Sequence, residues 1–205
     1  MNDTQGIYLI RHGETMWNKI FRFQGATDTE LSENGLCQAR KLAQRFSGHK
    51  FAAIYASDLK RASTTAQTVA QPHALEIIPE PRFREMSFGE WEGLDISYME
   101  EKWPGKMKEF FRDPASFAVP GGESLAAFNA RVCPAFYEII ARHEGQDIMI
   151  VAHGGSIRAI IADILKTPPA SFWAIRIDNT AVNTIHITNG RFFLSALNDT
   201  AHLTK

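Results

Sequence analysis

Short apolar runs separated by amphipathic stretches set the rhythm of this chain. Residues 7–10, Ile-Tyr-Leu-Ile, are continuously apolar and stop at Arg11-His12-Gly13. A run so short and unbroken suits a parallel strand covered on both faces. The pattern returns at residues 147–152, Asp-Ile-Met-Ile-Val-Ala, which end in His153-Gly154-Gly155 and lead into a helix-like stretch from Ser156. Phe51 to Ala56 predicts a further buried strand. Leu75 to Ile78, fenced by prolines at 72, 79 and 81, predicts an edge strand. Leu36, Ala39, Leu42, Ala43 and Phe46 recur at helical spacing behind an N-cap at Ser32, with Gly48 as the stop. A second helix is expected from about Leu59 to Ala70, capped by Ser57-Asp58. A long one opens at Glu123 or Ser124 and reaches about His143, and Pro134 should kink it. The helix after His153 runs to Lys166, where Pro168-Pro169 breaks it. Asn189-Gly190 between Ala181–Thr188 and Arg191–Leu197 marks a hairpin.

Two stretches depart from this rhythm. Met16 to Glu30 reads as a polar loop holding Gly25. Residues 82–122 scatter Trp91, Trp103, Phe110, Phe111 and Phe117 among many charges, and predict short helices and loops folded over the sheet edge. Elsewhere strand and helix alternate, so the expectation is an α/β fold: a mostly parallel sheet with helices on both faces. The 205 residues fit one such domain, 1–205, with an insertion at about 82–122 covering the site.

Composition narrows the partners. With 44% hydrophobic and 22% charged residues and a formal net charge of −1, the chain is an ordinary globular protein with no bulk attraction to nucleic acid or an anionic membrane. No apolar stretch is long enough to span a bilayer, and the N-terminus lacks a secretion pattern. The two cysteines, Cys37 and Cys133, both fall in helix-like segments. They read as buried free thiols in a reducing cytoplasm.

The chemistry is expected where two strands each discharge a histidine and a glycine at one sheet edge. Ligands in such sheets bind beyond the carboxyl ends of the strands. Arg11, His12, Arg61 and His153 together describe a pocket for a dianion, because guanidinium forks match phosphate oxygens. Helix N-termini after Gly154 and after Ser57 would add backbone donors. The histidines stand alone, without HxH, HExxH or paired carboxylates, so neither a metal nor any other cofactor is expected.

The motifs carrying these residues fall in an order that resembles one family, the histidine phosphatase superfamily, which includes cofactor-dependent phosphoglycerate mutases. Arg11-His12-Gly13-Glu14-Thr15 with Asn18 resembles its signature. Phe23-Gln24-Gly25 with Asp28 and Leu31-Ser32 follows, then Ser57-Asp58-Leu59-Lys60-Arg61-Ala62 with Thr65-Ala66. Glu85-Met86-Ser87-Phe88-Gly89-Glu90-Trp91-Glu92-Gly93 resembles the acid motif, Pro120-Gly121-Gly122-Glu123-Ser124 the start of the long helix, and Ala152-His153-Gly154-Gly155 the second histidine. The resemblance implies a three-layer α/β/α sandwich of phosphoglycerate mutase type. It implies that His12 attacks phosphorus and becomes a phosphohistidine, and that Glu85 protonates the leaving oxygen. Arg11, Arg61 and His153 would surround the phosphoryl oxygens, beside Asn18, Gln24, Gly25 and Gly154.

Within that family, residues 94–122 contain no Arg-Arg pair of the kind with which mutases grip a carboxylate. The Phe88-Gly89-Glu90-Trp91-Glu92-Gly93 pattern is similar instead to α-ribazole phosphatases and broad-specificity bacterial phosphatases. Hydrolysis of a small phosphate ester is therefore expected, with a mutase as the alternative and a non-catalytic phospho-ligand module as the alternative of another class. The five insertion aromatics are expected either to form an apolar lid over a bulky leaving group or merely to pack the insertion on the sheet.

Overall fold

The chain folds around one six-stranded sheet, seen in a computed structural model that describes residues 4–204. The strands are β1 (Gln5–Arg11), β2 (Ala53–Ala56), β3 (Ile77–Pro79), β4 (Ile148–Ala152), β5 (Val182–Thr188) and β6 (Arg191–Asp199), in spatial order β3-β2-β4-β1-β5-β6. The first four are mutually parallel, and the C-terminal hairpin adds two antiparallel strands beside β1. Asn189 and Gly190 both adopt positive φ, 50° and 71°, as the tight turn between β5 and β6 requires. The α/β class and the mostly parallel sheet are as the pattern predicts.

The helices are α1 (Met16–Lys19), α2 (Glu33–Phe46), α3 (Lys60–Ala70), α4 (Ile96–Lys102), α5 (Lys106–Arg112), α6 (Leu125–Arg142) and α7 (Gly154–Leu165). Strand side chains alternate between two cores, which makes the three layers. Ile7 and Leu9 of β1 and Ile148 and Ile150 of β4 share one cluster with α6, α7 and residues Phe83 to Val119. Ile10, Met149 and Val151 face the other way and pack with Leu42 and Phe46 of α2 and Val69 of α3.

Several local expectations are corrected. Residues 16–19 are a short helix rather than loop, because Thr15 Oγ1 caps it by accepting from Asn18 N. The Ser57-Asp58 cap of α3 is replaced by a long-range one: Asp28 Oδ1 accepts from Lys60 N at 2.7 Å, while Asp58 is taken by Arg84. The long helix is as expected: α6 runs through Pro134 as one helix of 18 residues, and Val132, Phe136 and Ile139, fully buried on either side, hold it by packing. Cys37 is an exposed thiol, on the solvent face of α2, and only Cys133 is partly buried.

Candidate active site

Register brings the two histidines together. Arg11 of β1 pairs with Ala152 of the parallel β4, so the next residues, His12 and His153, emerge side by side with ring centroids 5.1 Å apart. β2 ends at the same edge, and Ser57 N donates to Val151 O at 3.0 Å. The chain leaves β1 toward α2 on one face of the sheet and β4 toward α7 on the other. Such a divergence opens a crevice beyond the strand ends. A cavity of about 400 Å³ lies there, and eight of the nine predicted site residues line it: Arg11, His12, Asn18, Gln24, Gly25, Arg61, Glu85 and Gly154.

His12 is buried, and its Nδ1 lies 2.7 Å from the Gly13 carbonyl. A carbonyl only accepts, so Nδ1 carries the proton and Nε2 keeps its lone pair. Burial, followed by the charges of Arg61 and Arg11, holds its pKa well below the ordinary imidazole value. The ring is therefore neutral and nucleophilic at neutral pH. Arg11 donates Nη1 to Ile177 O at 2.7 Å, but its buried Nε has no partner. Burial first, with Arg158 and Arg61 nearby, lowers its pKa to about 10 despite the opposing charge of Glu85. An unsatisfied guanidinium N–H at this spot is what an anion would satisfy.

Arg61 is wholly buried and fixed at all three nitrogens: Nε donates to His153 Nδ1 (3.2 Å), Nη1 to Thr27 O (2.7 Å) and Nη2 to Gly25 O (2.7 Å). Because His153 Nδ1 accepts, its proton sits on Nε2, which donates to Ser57 Oγ at 2.8 Å. Burial, then Arg61 and His12, keep that ring neutral as well. His153 stands behind His12 and does not line the cavity. Glu85 is anchored by its own backbone surroundings, Oε2 accepting from Gly155 N (3.0 Å) and Oε1 from Met86 N (2.9 Å).

The loops that carry these groups are tied to one another. Glu92 accepts from the N–H groups of Ala26, Thr27 and Phe88, joining the Gln24–Thr27 loop to the acid loop. Gly25 is required at that junction: its φ is +54°, and a Cβ there would overlap Glu92 Oε1. Among the described residues no three His, Cys, Asp or Glu side chains cluster as a metal ligand set.

The sequence pattern of the histidine phosphatase superfamily, branch 1, matches residues 7–200. This chain belongs to that family. Phosphoserine phosphatase 1 of Hydrogenobacter thermophilus is 36% identical over 96% of this chain and 93% of its own length. A metal-independent phosphoserine phosphatase of Arabidopsis thaliana is 34% identical over 97% of this chain and 83% of its own. Among solved structures, Bacillus stearothermophilus YhfR superposes with a TM-score of 0.92 at 32% identity, covering 97% of this chain and 99% of YhfR.

In this histidine phosphatase, sequence reasoning missed three polar cavity residues, Arg22, Arg158 and Asn179, of which Arg22 is solvent-exposed. Arg158 reads as one charge on an apolar helix, although an arginine amid Ile157, Ala159 and Ile160 near a helix start was a usable signal. Asn179 had none, because it reaches the site from the loop before β5, donating to His12 O (3.1 Å) and Asn18 Oδ1 (3.3 Å). The lid expectation is corrected in part. Trp91 and Phe110 are buried, and Trp103 and Phe117 pack against the same core. Of the five, only Phe111 lines the cavity, joined there by Phe23, Phe88, Ile96 and Trp173.

Proposed function

We propose that this histidine-type phosphatase hydrolyses small phosphomonoesters through a phosphohistidine on His12. In the first step the Nε2 lone pair of His12 bonds to phosphorus while the ester P–O bond breaks. The departing alkoxide takes the proton of Glu85 and leaves as an alcohol. In the second step Glu85 accepts a proton from water, the water oxygen bonds to phosphorus, and the P–N bond breaks. Inorganic phosphate departs and both residues are restored. Arg11 and Arg61 stabilise the negative charge spread over the phosphoryl oxygens, and Asn18, Gln24, Gly25 and the N-terminus of α7 at Gly154 complete the cradle. His153 acts from behind, fixing Arg61 through Nδ1 and buttressing His12.

The observation that carries this reading is the free Nε2 of a neutral, buried His12 beside the unpartnered Nε of Arg11. Relatives named for phosphoserine support a small ester with a short alcohol. A mutase has less support, since residues 94–122 carry no arginine pair. The insertion at about 82–122 covers one side of the site, supplying Phe88, Ile96 and Phe111. Among the described residues no helix is long and apolar enough to cross a membrane. The free thiols favour the cytoplasm as its location.

The test is release of inorganic phosphate from phosphoserine and from a chromogenic aryl phosphate, with and without EDTA. His12→Ala is expected to lose at least about 10³-fold in kcat/KM, because the covalent route disappears. The wild-type rates are expected to be indifferent to the chelator. Equal rates for wild type and variant would remove the assignment of the nucleophile, and EDTA inhibition reversed by a divalent ion would show that a metal takes part.

A further inference from the structure

Arg158 is the less exposed of the two cavity guanidiniums, with Arg22, to which the two steps above give no task. Its Nε donates to Ile175 O at 2.7 Å, and its Cζ lies 5.2 Å from the ring centre of Trp173. Among the described residues no carboxylate forms an ion pair with it, although Glu85 and then Asp178 lie near enough to favour its charge. Of the two acids whose charge it feels, Asp178 is paired with Arg176, and Glu85 accepts from backbone N–H groups. Its Nη1 lies 3.0 Å from the point a Cβ on Gly154 would occupy, and Arg11 Nε lies 3.7 Å from that same point. Two guanidiniums thus stand side by side over Gly154, with Glu85 the carboxylate whose charge bears most on both.

Its place relative to phosphorus follows from its neighbours. Arg158 Nη1 lies over Gly154, and Glu85 Oε2 accepts from the N–H of the adjacent Gly155 at 3.0 Å, so Arg158 and the proton donor share the first turn of α7. In an in-line displacement the attacking nitrogen and the departing oxygen lie on opposite sides of phosphorus. Arg158 therefore stands on the proton donor's side, where the alcohol departs. Beyond it the wall turns apolar: Trp173 packs on Phe111 at 5.3 Å, and Phe111 on Phe23 at 6.4 Å.

We propose that Arg158, stacked on Trp173, binds a carboxylate carried by the leaving group, so that the preferred substrates are short phosphomonoesters of hydroxy acids. This rests on the phosphatase reading above. The crowding of Arg158 and Arg11 at Gly154 requires the carboxylate to sit within a few bonds of the ester oxygen. The charge count favours a carboxylate over a second phosphate. A phosphoryl dianion offsets Arg11 and Arg61, leaving Arg158 one charge for a monoanion with matching fork geometry. The next cavity cation, Arg22, is solvent-exposed. Trp173, stacked on Arg158, shields one side of this ion pair from water, which strengthens it, and the aromatic wall limits the size of the alcohol.

O-phosphoserine and O-phosphoethanolamine differ only in the carboxylate and make the test. Wild type is expected to prefer phosphoserine by about 10- to 100-fold in kcat/KM, the range of a charge-assisted hydrogen-bonded contact. In Arg158→Gln that ratio is expected to collapse toward one, mainly through the KM of phosphoserine, and Arg158→Lys is expected to restore part of it. Serine or glycerate added as competitor should inhibit wild type more than Arg158→Gln. A parallel fall for both esters, with the ratio kept, would overturn the proposal and make Arg158 a phosphoryl ligand or a packing residue. So would an unchanged ratio, or a preference for a bisphosphate that Arg158→Gln abolishes. Turnover of aryl phosphate with no preference for phosphoserine would sink this inference alone, whereas turnover of no ester at all would sink the phosphatase reading beneath it.

Discussion

Arg131 of α6 is the fastening of the acid loop, and removing it should damage stability and catalysis together. Its guanidinium donates to both oxygens of Glu123, at 2.7 and 2.8 Å, and to the carbonyls of Arg82 (2.8 Å), Arg84 (2.9 Å) and Glu85 (3.0 Å). Glu123 in turn accepts from Ser87 N at 3.1 Å, so residues 82–87 are clamped at both ends. Arg131→Gln leaves one carboxylate and three carbonyls short of a donor. Breaking a buried pair costs about 3–5 kcal/mol, but these side chains are 25% and 23% exposed; solvent screening reduces the expected loss to roughly 2–3 kcal/mol. For a chain of this size that is about 4–12 °C in Tm. Glu85 loses one of its backbone anchors, and a misplacement of about 1 Å should lower kcat on the order of 10²-fold. The titration of Glu123 adds a signature. Burial raises its pKa, but hydrogen bonds from Arg131 and Ser87 outweigh burial and leave it lowered. A lowered carboxyl pKa contributes stability above the ordinary carboxylate range, and that stability is lost as pH falls through the folded value. Arg131→Gln should erase this acid-side loss. Thermal melts from pH 7 to pH 3 and kcat on the same preparations measure both effects. Destabilisation below about 1 kcal/mol, or a lowered Tm with kcat untouched, would refute the clamp.

Two other perturbations bear on the same architecture. Gly25→Ala should cost more than about 3 kcal/mol and abolish turnover, since it combines a positive φ with overlap onto Glu92, which three backbone N–H groups hold in place; a soluble, active variant would show that the loop can shift. His12, His153 and His202 are kept neutral first by burial, with His202 lowered to about 4. The unfolded chain binds protons near pH 6.5 where the folded one does not. Stability should therefore fall as pH drops below about 6.5, by up to about 1.4 kcal/mol per pH unit for each histidine, with the share of His202 ending near pH 4. Denaturant midpoints that do not change between pH 7.5 and 5 would contradict this.

Much of this was legible because the parallel strands announce themselves twice. Ile7–Ile10 and Ile148–Ala152 are buried on both faces, so their continuous apolar runs fixed their type. A histidine and glycine after each marked the sheet edge on which they converge. What sequence could not supply were contacts made across long separations. Asp28 caps α3 from 32 residues away, and Asn179 reaches His12 across 167. Neither leaves a local pattern. The insertion aromatics misled for a related reason: Trp91 and Phe111 have the same apolar character in sequence, and only tertiary packing buries the first and leaves the second 41% exposed at the cavity mouth. The position of His153 shows the same limit. Its motif places it at the site, but the hydrogen bonds from Arg61 and to Ser57 turn its ring into the wall.

The central claim is that Nε2 of His12 forms a covalent bond to phosphorus. Mixing the enzyme with a chromogenic phosphate ester, quenching under alkaline conditions within milliseconds and mapping the peptides by mass spectrometry tests it directly. One acid-labile phosphoryl group on His12 is the predicted result, absent from His12→Ala and accumulating further in Glu85→Gln when an activated aryl leaving group is used. A phosphoryl group on another residue, or single-turnover hydrolysis that inverts a chiral phosphate without any phosphoenzyme, would contradict it.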